Sequence, residues 1–315
     1  MVLKQVMEIY EILDSAKVNG QEVASFLKGR GITDVGITPI QSPRGSTEVV
    51  KVWIPGTKGR KSGGPSPTLG VIGRLGGVGA RPQMIGLVSD ADGAIAALSL
   101  ALKLADMKKR GDALPGDVIV TTNICPNAPL IPHEPVPFMG SPVDMKSLND
   151  HEVDLQMEAI LSIDTTKGNR IINHRGFAIS PTVKEGYILR VSEDLLRIME
   201  FTTGKSPAVF AITMQDITPY GNGLFHLNSI MQPSVATHAP VAGVAITAES
   251  AVPGCATGVT HVADIEEAVR FVIEVAKDYG EGKCSFYDEA EFRRMIELYG
   301  PMNHLQTSGK KLSSL

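Results

Sequence analysis

Asp90, Asp164 and His261 carry the first chemical suggestion in this sequence. Asp90 follows the apolar run 85–88, and Asp164 follows the apolar run 159–163. His261 lies in a Gly258-Val-Thr-His261 loop just ahead of an amphipathic stretch. In open α/β sheets, ligands bind where strands end. Two carboxylates and an imidazole meeting on one such rim suit a divalent metal, zinc first among them. Asp90, Asp164 and His261 are therefore the expected metal ligands. Each also has a plainer reading. Asp90 stands where a helix N-cap belongs, Asp164 opens a turn-forming Asp-Thr-Thr-Lys-Gly stretch, and His261 reads equally as a surface histidine.

Further candidates surround these three. Asn123 and Cys125 follow the 118–122 run; Cys125 is placed for a nucleophile or is a buried, inert thiol. The stretch Gly73-Arg-Leu-Gly-Gly-Val-Gly-Ala-Arg81 has the glycines of a phosphate cradle but not its GK[ST] ending. Close backbone packing or a tight substrate loop fits it better, with Arg74 and Arg81 offering forks to a carboxylate. His133 and Glu134 are bracketed by Pro132 and Pro135, which exclude an HExxH helix. His174, in Asn-His-Arg-Gly, reads as a site residue or a turn. Arg74, Arg81, Asn123, Cys125, His133 and His174 are the expected substrate contacts. No GxSxG is present, so a serine hydrolase has no anchor.

The elements that must position these residues alternate in kind. Strands are expected at 48–54, 68–72, 85–88, 118–122, 159–163, 209–213 and 244–247, with an antiparallel edge at 187–191. Helices are expected at 2–13, 21–28, 91–110, 264–276 and 289–298, the fourth opened by an Asp264/Glu267 capping box. Short apolar runs alternating with helices imply an α/β fold, a mostly parallel mixed sheet with helices on both faces. Residues 1–302 are expected to form one domain, with 303–315 a flexible tail. The Pro-rich segment 123–146 reads as a long loop, the kind that is often functional.

Composition narrows the classes. Of the 315 residues 43% are hydrophobic and 20% charged, so a sizeable core can form. The formal charge is −4, with no Lys/Arg run interleaved with aromatics, which argues against nucleic acid. No stretch reaches about 18 uninterrupted apolar residues, so no membrane span is expected. Three widely spaced cysteines are not a disulfide framework, and a reducing cytoplasm is the simplest compartment.

At Ser89-Asp-Ala-Asp-Gly-Ala-Ile-Ala-Ala-Leu98 the chain resembles the co-catalytic zinc aminopeptidase, carboxypeptidase and deacylase superfamily. The resemblance implies a zinc-exopeptidase-like fold, with Asp90 as metal-bridging residue, Asp164 as a later ligand and His261 as the last. The chain departs from that pattern twice. No histidine stands in Gly73-Arg-Leu-Gly-Gly77, and no carboxylate in Asn123-Ile-Cys-Pro126, where the superfamily keeps a ligand and its general base. Glu134, on the following loop, is the substitute base. Over its length, through LPGDVIVTTNICPNAP and PHEPVPFMGSPVDM, the chain also resembles an uncharacterised prokaryotic family. The implied activity is metal-dependent hydrolysis of a peptide, an N-acyl amino acid or a related amide, with zinc or another divalent metal. The alternative is a non-catalytic protein that binds an amino-acid-like small molecule on the same fold. Either way the expected partner is a small molecule or peptide, with homo-oligomers allowed.

Overall fold

A computed structural model describes residues 1–166, 168–251, 254–258, 260–307 and 309. Helices α1 (Leu3–Leu13) and α2 (Gly20–Gly29) precede strands β1 (Val35–Ser42) and β2 (Gly45–Ile54). Then come β3 (Leu69–Gly73), α3 (Asp92–Lys109), β4 (Val118–Ile124), the short β5 (Leu130–Ile131) and β6 (Phe138–Met139), α4 (Met145–Glu152) and β7 (Ala159–Thr166). The chain continues through β8 (Gly176–Ile179), β9 (Val183–Lys184), β10 (Tyr187–Ile188), α5 (Glu193–Thr203), β11 (Val241–Thr247), α6 (Val262–Gly280) and α7 (Glu289–Tyr299).

The main sheet has the order β1-β2-β4-β3-β7-β11-β9-β10, with β8 also on β11. Strands β4, β3, β7 and β11 are parallel. The flanking strands are joined antiparallel. This is the expected α/β architecture, a mixed sheet with a mostly parallel centre and helices on both sides. Every residue of β3, β4 and β11 is buried, as parallel strands covered on both faces must be. One face packs against α1, α3, α5 and α6. The other is covered by Phe210, Ile217, Ile230 and Met231 of the long segment before β11, and by α4 near β2 and β4. Helix α3 is buried almost all round, from Asp92 to Met107, which makes it the central helix of its layer.

Several expectations need correction. Residues 85–88 are no strand: Gly86 has φ +81°, Ile85 is 91% exposed, and the Leu87 amide donates to Asp14 Oδ1 at 2.7 Å. The segment is a tie to the end of α1. Of 209–213, Val209 alone bridges to the sheet, at Ile179. Thr213 then opens a capped 3-10 turn over Met214–Ile217, which diverts the chain. Helix α6 starts before Asp264, with His261 at its N-cap and no side-chain cap. Asp264 therefore falls in the first turn, where it favours the helix dipole, and Glu267 pairs with Lys205 at 2.9 Å. Not foreseen were β1, whose Pro39 is tolerable because the strand is an edge, and α4 and α5, capped by Asp144 and Ser192. Within 303–315, Asn303–Gln306 form a 3-10 turn, and Gln306 Nε2 donates to the Ser234 and Thr237 carbonyls. Positions 308 and 310–315 lie outside the described residues. Among the described residues no helix is long and apolar enough to cross a membrane.

Candidate functional site

Where β3 ends, the glycines let backbones touch. A Cβ on Gly76 would fall onto the carbonyl of Asn123, and one on Gly93, in the first turn of α3, would lie 2.6 Å from the Ile163 carbonyl oxygen. Leu75, just before Gly76, takes φ +54°. Asn123 completes the bracket: its Oδ1 accepts from the Gly76 amide at 3.0 Å and its Nδ2 donates to Thr47 Oγ1 at 2.9 Å. The glycine-rich stretch thus serves close packing of β3, β4, β7 and α3 at their site-bearing ends.

Arg74 leaves this turn fully buried and reaches α4. Its Nη1 donates to the Glu152 carboxylate and, at 3.0 Å, to Asn149 Oδ1. Burial pushes the Glu152 carboxyl up; the charge and hydrogen bond of Arg74 pull it back. The fork expected to meet a substrate carboxylate is therefore filled from within. Arg81 spends its donors on main chain, Nη1 on the Pro126 carbonyl at 3.2 Å and Nη2 on that of Asp14 at 3.0 Å.

Asp90 and Asp164 are brought to one rim. Asp90 sits in a 3-10 turn, Ser89–Ala91, and α3 has Ala91 at its N-cap with no side-chain cap, so Asp90 is not the capping residue. The Ser89 and Asp90 amides donate to the Thr257 and Cys255 carbonyls at 2.7 and 3.1 Å. Thr165 Oγ1, at the end of β7, donates to the Ser89 carbonyl at 2.6 Å. Asp90 Oδ2 lies 2.7 Å from where a Cβ on Gly77 would stand, and Asp164 accepts from the Thr165 amide at 2.8 Å and from Ser229 Oγ at 2.9 Å. Both aspartates are almost wholly buried.

The residues that complete this corner come from the segment before β11. Tyr220 brings its phenol beside Ser229: burial, then the carboxylates of Asp164 and Asp216, push that hydroxyl well above its ordinary range, with Arg74 and Ser229 opposing. Its ring stacks on His226 with centroids 4.2 Å apart. Asp216 knits the segment, accepting from the Leu227, Asn228 and Thr213 amides and from Thr213 Oγ1. Sequence reasoning missed Tyr220, Ser229 and Asp216. The signal was present as a long, aperiodic stretch carrying Tyr-Gly-Asn-Gly between two apolar runs.

The remaining candidates are scattered. His261 caps α6 by position, and position 259 before it lies outside the described residues. Among the described residues, no three or more His, Cys, Asp or Glu side chains are grouped so that they could hold a metal ion. Asp90, Asp164 and His261 thus form no such group among the described residues. His133 and Glu134 are exposed at the tip of the β5–β6 hairpin, with the His133 ring edge-on to Phe138 at 4.6 Å. The hairpin folds back over the rim: Val136 occupies the space a Cβ on Gly254 would need, and the Met139 methyl lies 3.0 Å from the Cβ position of Gly77. His174 Nε2 is 3.0 Å from the Phe177 carbonyl.

Cys125 is buried, and burial first, then Asp90, pushes its thiol up. Cys284 is pushed up to about 12, again by burial first. A raised thiol pKa means thiol, not thiolate, at pH 8, and the thiolate is the nucleophile. Native protein at pH 8 is thus expected to resist iodoacetamide at Cys125 and Cys284 while guanidinium-unfolded chain reacts fully, as read by intact-mass spectrometry. Rapid native labelling at Cys125 would restore it as a nucleophile.

Over residues 38–309 the chain matches the family described as "Protein of unknown function (DUF1177)". It belongs to that family. The region shared with the family starts inside β1 and takes in every candidate residue from Arg74 to His261, whereas α1 and α2 precede it. No curated protein matches the chain. Among solved structures it is similar to the crystal structure of Acidobacteriales bacterium glutaminyl cyclase, at 11% identity and a TM-score of 0.48, covering 89% of this chain and 94% of that one.

Two clefts lie elsewhere. One of about 460 Å³ is lined by Lys184, His238, Tyr279 and Tyr287, and a wider one by Arg190, Asp194 and Glu291. The first borders Pro240 and Met157, ahead of β11 and β7, the end of the sheet opposite Asp164. Ligands of parallel sheets sit at the carboxyl ends of strands, so the Asp164 rim remains the candidate site.

Proposed function

We propose that this protein binds a small, amino-acid-like ligand at the carboxyl-end rim of its parallel sheet, with the ligand's ammonium group on Asp164 and with Asp90 adding to the negative field there. The observation that carries this reading is the Asp164 corner. A buried carboxylate stands at a parallel strand end among the hydroxyls of Ser229 and Tyr220, and such a corner favours a cation with hydrogen-bond donors. The β5–β6 hairpin, with His133 and Glu134 at its tip, is the cover of that rim. The hydrolase reading has less support. It needs a ligand set that the described residues do not form, and its base would be an exposed carboxylate on a hairpin tip.

The test is a thermal-shift and calorimetric screen of free amino acids and simple amines against wild type and Asp164→Asn. An amine-bearing ligand is expected to raise the wild-type melting temperature, and the charge-neutral variant should bind it at least about 10-fold more weakly, a charge-assisted hydrogen bond being the strong kind. Equal binding by both proteins would remove Asp164 from the site. Zinc retained through dialysis and lost in Asp90→Asn, with amide turnover that falls on Glu134→Gln, would replace this reading by the hydrolase.

A further inference from the structure

Strands β7 and β11 end side by side, with Thr166 in register with Thr247 and Asp164 with Ala245. Side chains alternate along a strand, so Ser162, Asp164 and Thr166 share one face of the sheet with Gly243, Ala245 and Thr247. The hydrogen bonds agree. Ser162 Oγ donates to the Ile230 carbonyl, Ser229 Oγ to Asp164, and Asn228 Nδ2 to Thr166 Oγ1 at 3.0 Å, while a Cβ on Gly243 would meet Ile230 from the same segment.

Thr247 is 4% exposed, and its hydroxyl has no hydrogen-bond partner among the described residues. A hydroxyl buried without a partner destabilises the fold, and a valine of nearly the same shape would not. A buried polar group in that condition can take a partner from outside the chain. Other buried hydroxyls share the condition, but Thr68 lies before β3 at the opposite end of the sheet, Ser99 lies within α3, and Thr260 lies outside the strands, in the loop before α6. Among the described residues, Thr247 is the one that stands in a strand, on the face and at the strand end of Asp164. Its neighbour Thr166 accepts from Asn228 and so keeps its own O–H to donate. Paired residues on neighbouring strands stand about 5 Å apart, so these two donors can close on the two oxygens of one carboxylate. Asp164, two residues earlier on the same strand face, offers the opposite polarity.

We infer that Thr166 and Thr247 form a carboxylate clip, and that with Asp164 they make the rim selective for the zwitterion of a free α-amino acid over a plain amine. The ammonium group sits on Asp164 and the carboxylate between the two hydroxyls. This inference rests on the ligand reading above and adds a second pole to it.

The probes are the free L-amino acids and, for the tightest binder, the amine left when its carboxylate is removed. Calorimetry at fixed salt compares wild type, Thr247→Val, Thr247→Ser and Asp164→Asn, with circular dichroism to check folding. Wild type should prefer the amino acid over the matching amine by about 10-fold, the worth of charge-assisted bonds to one carboxylate. Thr247→Val should lose that preference by weakening the amino acid alone, and Thr247→Ser should keep it. Relief of the buried hydroxyl should raise the melting temperature of ligand-free Thr247→Val by roughly 2 °C. Asp164→Asn should weaken acid and amine alike. A folded Thr247→Val that binds the amino acid as wild type does overturns the clip and leaves Asp164 in place. So does a wild type that binds amine and amino acid equally. Binding of no probe at all overturns the clip together with the ligand reading beneath it.

Discussion

Arg74→Met should destabilise the protein by about 3–5 kcal/mol, whereas Arg74→Met combined with Glu152→Leu should be close to neutral. Both side chains are wholly buried, and they meet across the space between β3 and α4. Desolvating two charges costs several kcal/mol per ion, and their attraction repays this only with good geometry and every donor satisfied. Here Arg74 Nε and Glu152 Oε1 have no hydrogen-bond partner among the described residues, so repayment is incomplete. Removing one partner strands the other charge in an apolar setting, which is the costly case. Replacing both by groups of similar volume removes the desolvation cost as well, leaving Asn149 as the main loser. Guanidinium unfolding of the two single variants and the double would measure this as a cycle. A single variant within about 1 kcal/mol of wild type would show that the pair is solvated, as surface pairs are. Because the Arg74 charge also acts on the Tyr220 phenol, the double variant tests whether the candidate site needs that charge once the fold no longer does.

Gly76→Ala should prevent folding, or lower stability by more than about 4 kcal/mol, the range kept for severe steric or core lesions. The new methyl would occupy the Asn123 carbonyl, a backbone atom that no rotamer change can move. The same turn also holds the Gly76 amide on Asn123 Oδ1 at 3.0 Å and the Cys125 amide on the Gly76 carbonyl at 2.8 Å. Relief of the clash would thus pull β3 off β4 at the end that carries Asp90. Gly29→Ala is the control: nothing lies within 4 Å of its Cβ position and its φ is not positive. At the end of α2 that change should be neutral or stabilising by up to about 1 kcal/mol. Soluble yield, circular dichroism and melting temperature decide the matter. A Gly76→Ala protein with wild-type melting would show that the close approach of β3 and β4 does not constrain this turn.

Much of the fold was legible in the chain because burial on both faces writes itself as continuous apolar sequence. The 118–122 and 159–163 runs could only be central strands, and the apolar stripe after Asp90 could only be a covering helix. Strand order also put Asp164 at the carboxyl end of the sheet, whereas the strand expected to deliver Asp90 there, 85–88, does not exist. The sequence by itself determined the α/β class, the central parallel strands and the strand end that bears Asp164. Tertiary structure decided what those aspartates face. Arg74 reads as an open fork until Glu152, 78 residues on, fills it. His261 reads as a third ligand, yet among the described residues it is not grouped with two other potential metal ligands. Residues 85–88 read as a strand until Gly86 turns the chain. Tyr220, Ser229 and Thr247 carry no local pattern, because their roles come from which loop lies over which strand end. Local periodicity reports burial along one segment. Pairing between segments far apart in the chain is set by the packing of the whole, and the chemistry of this rim is made of such pairs.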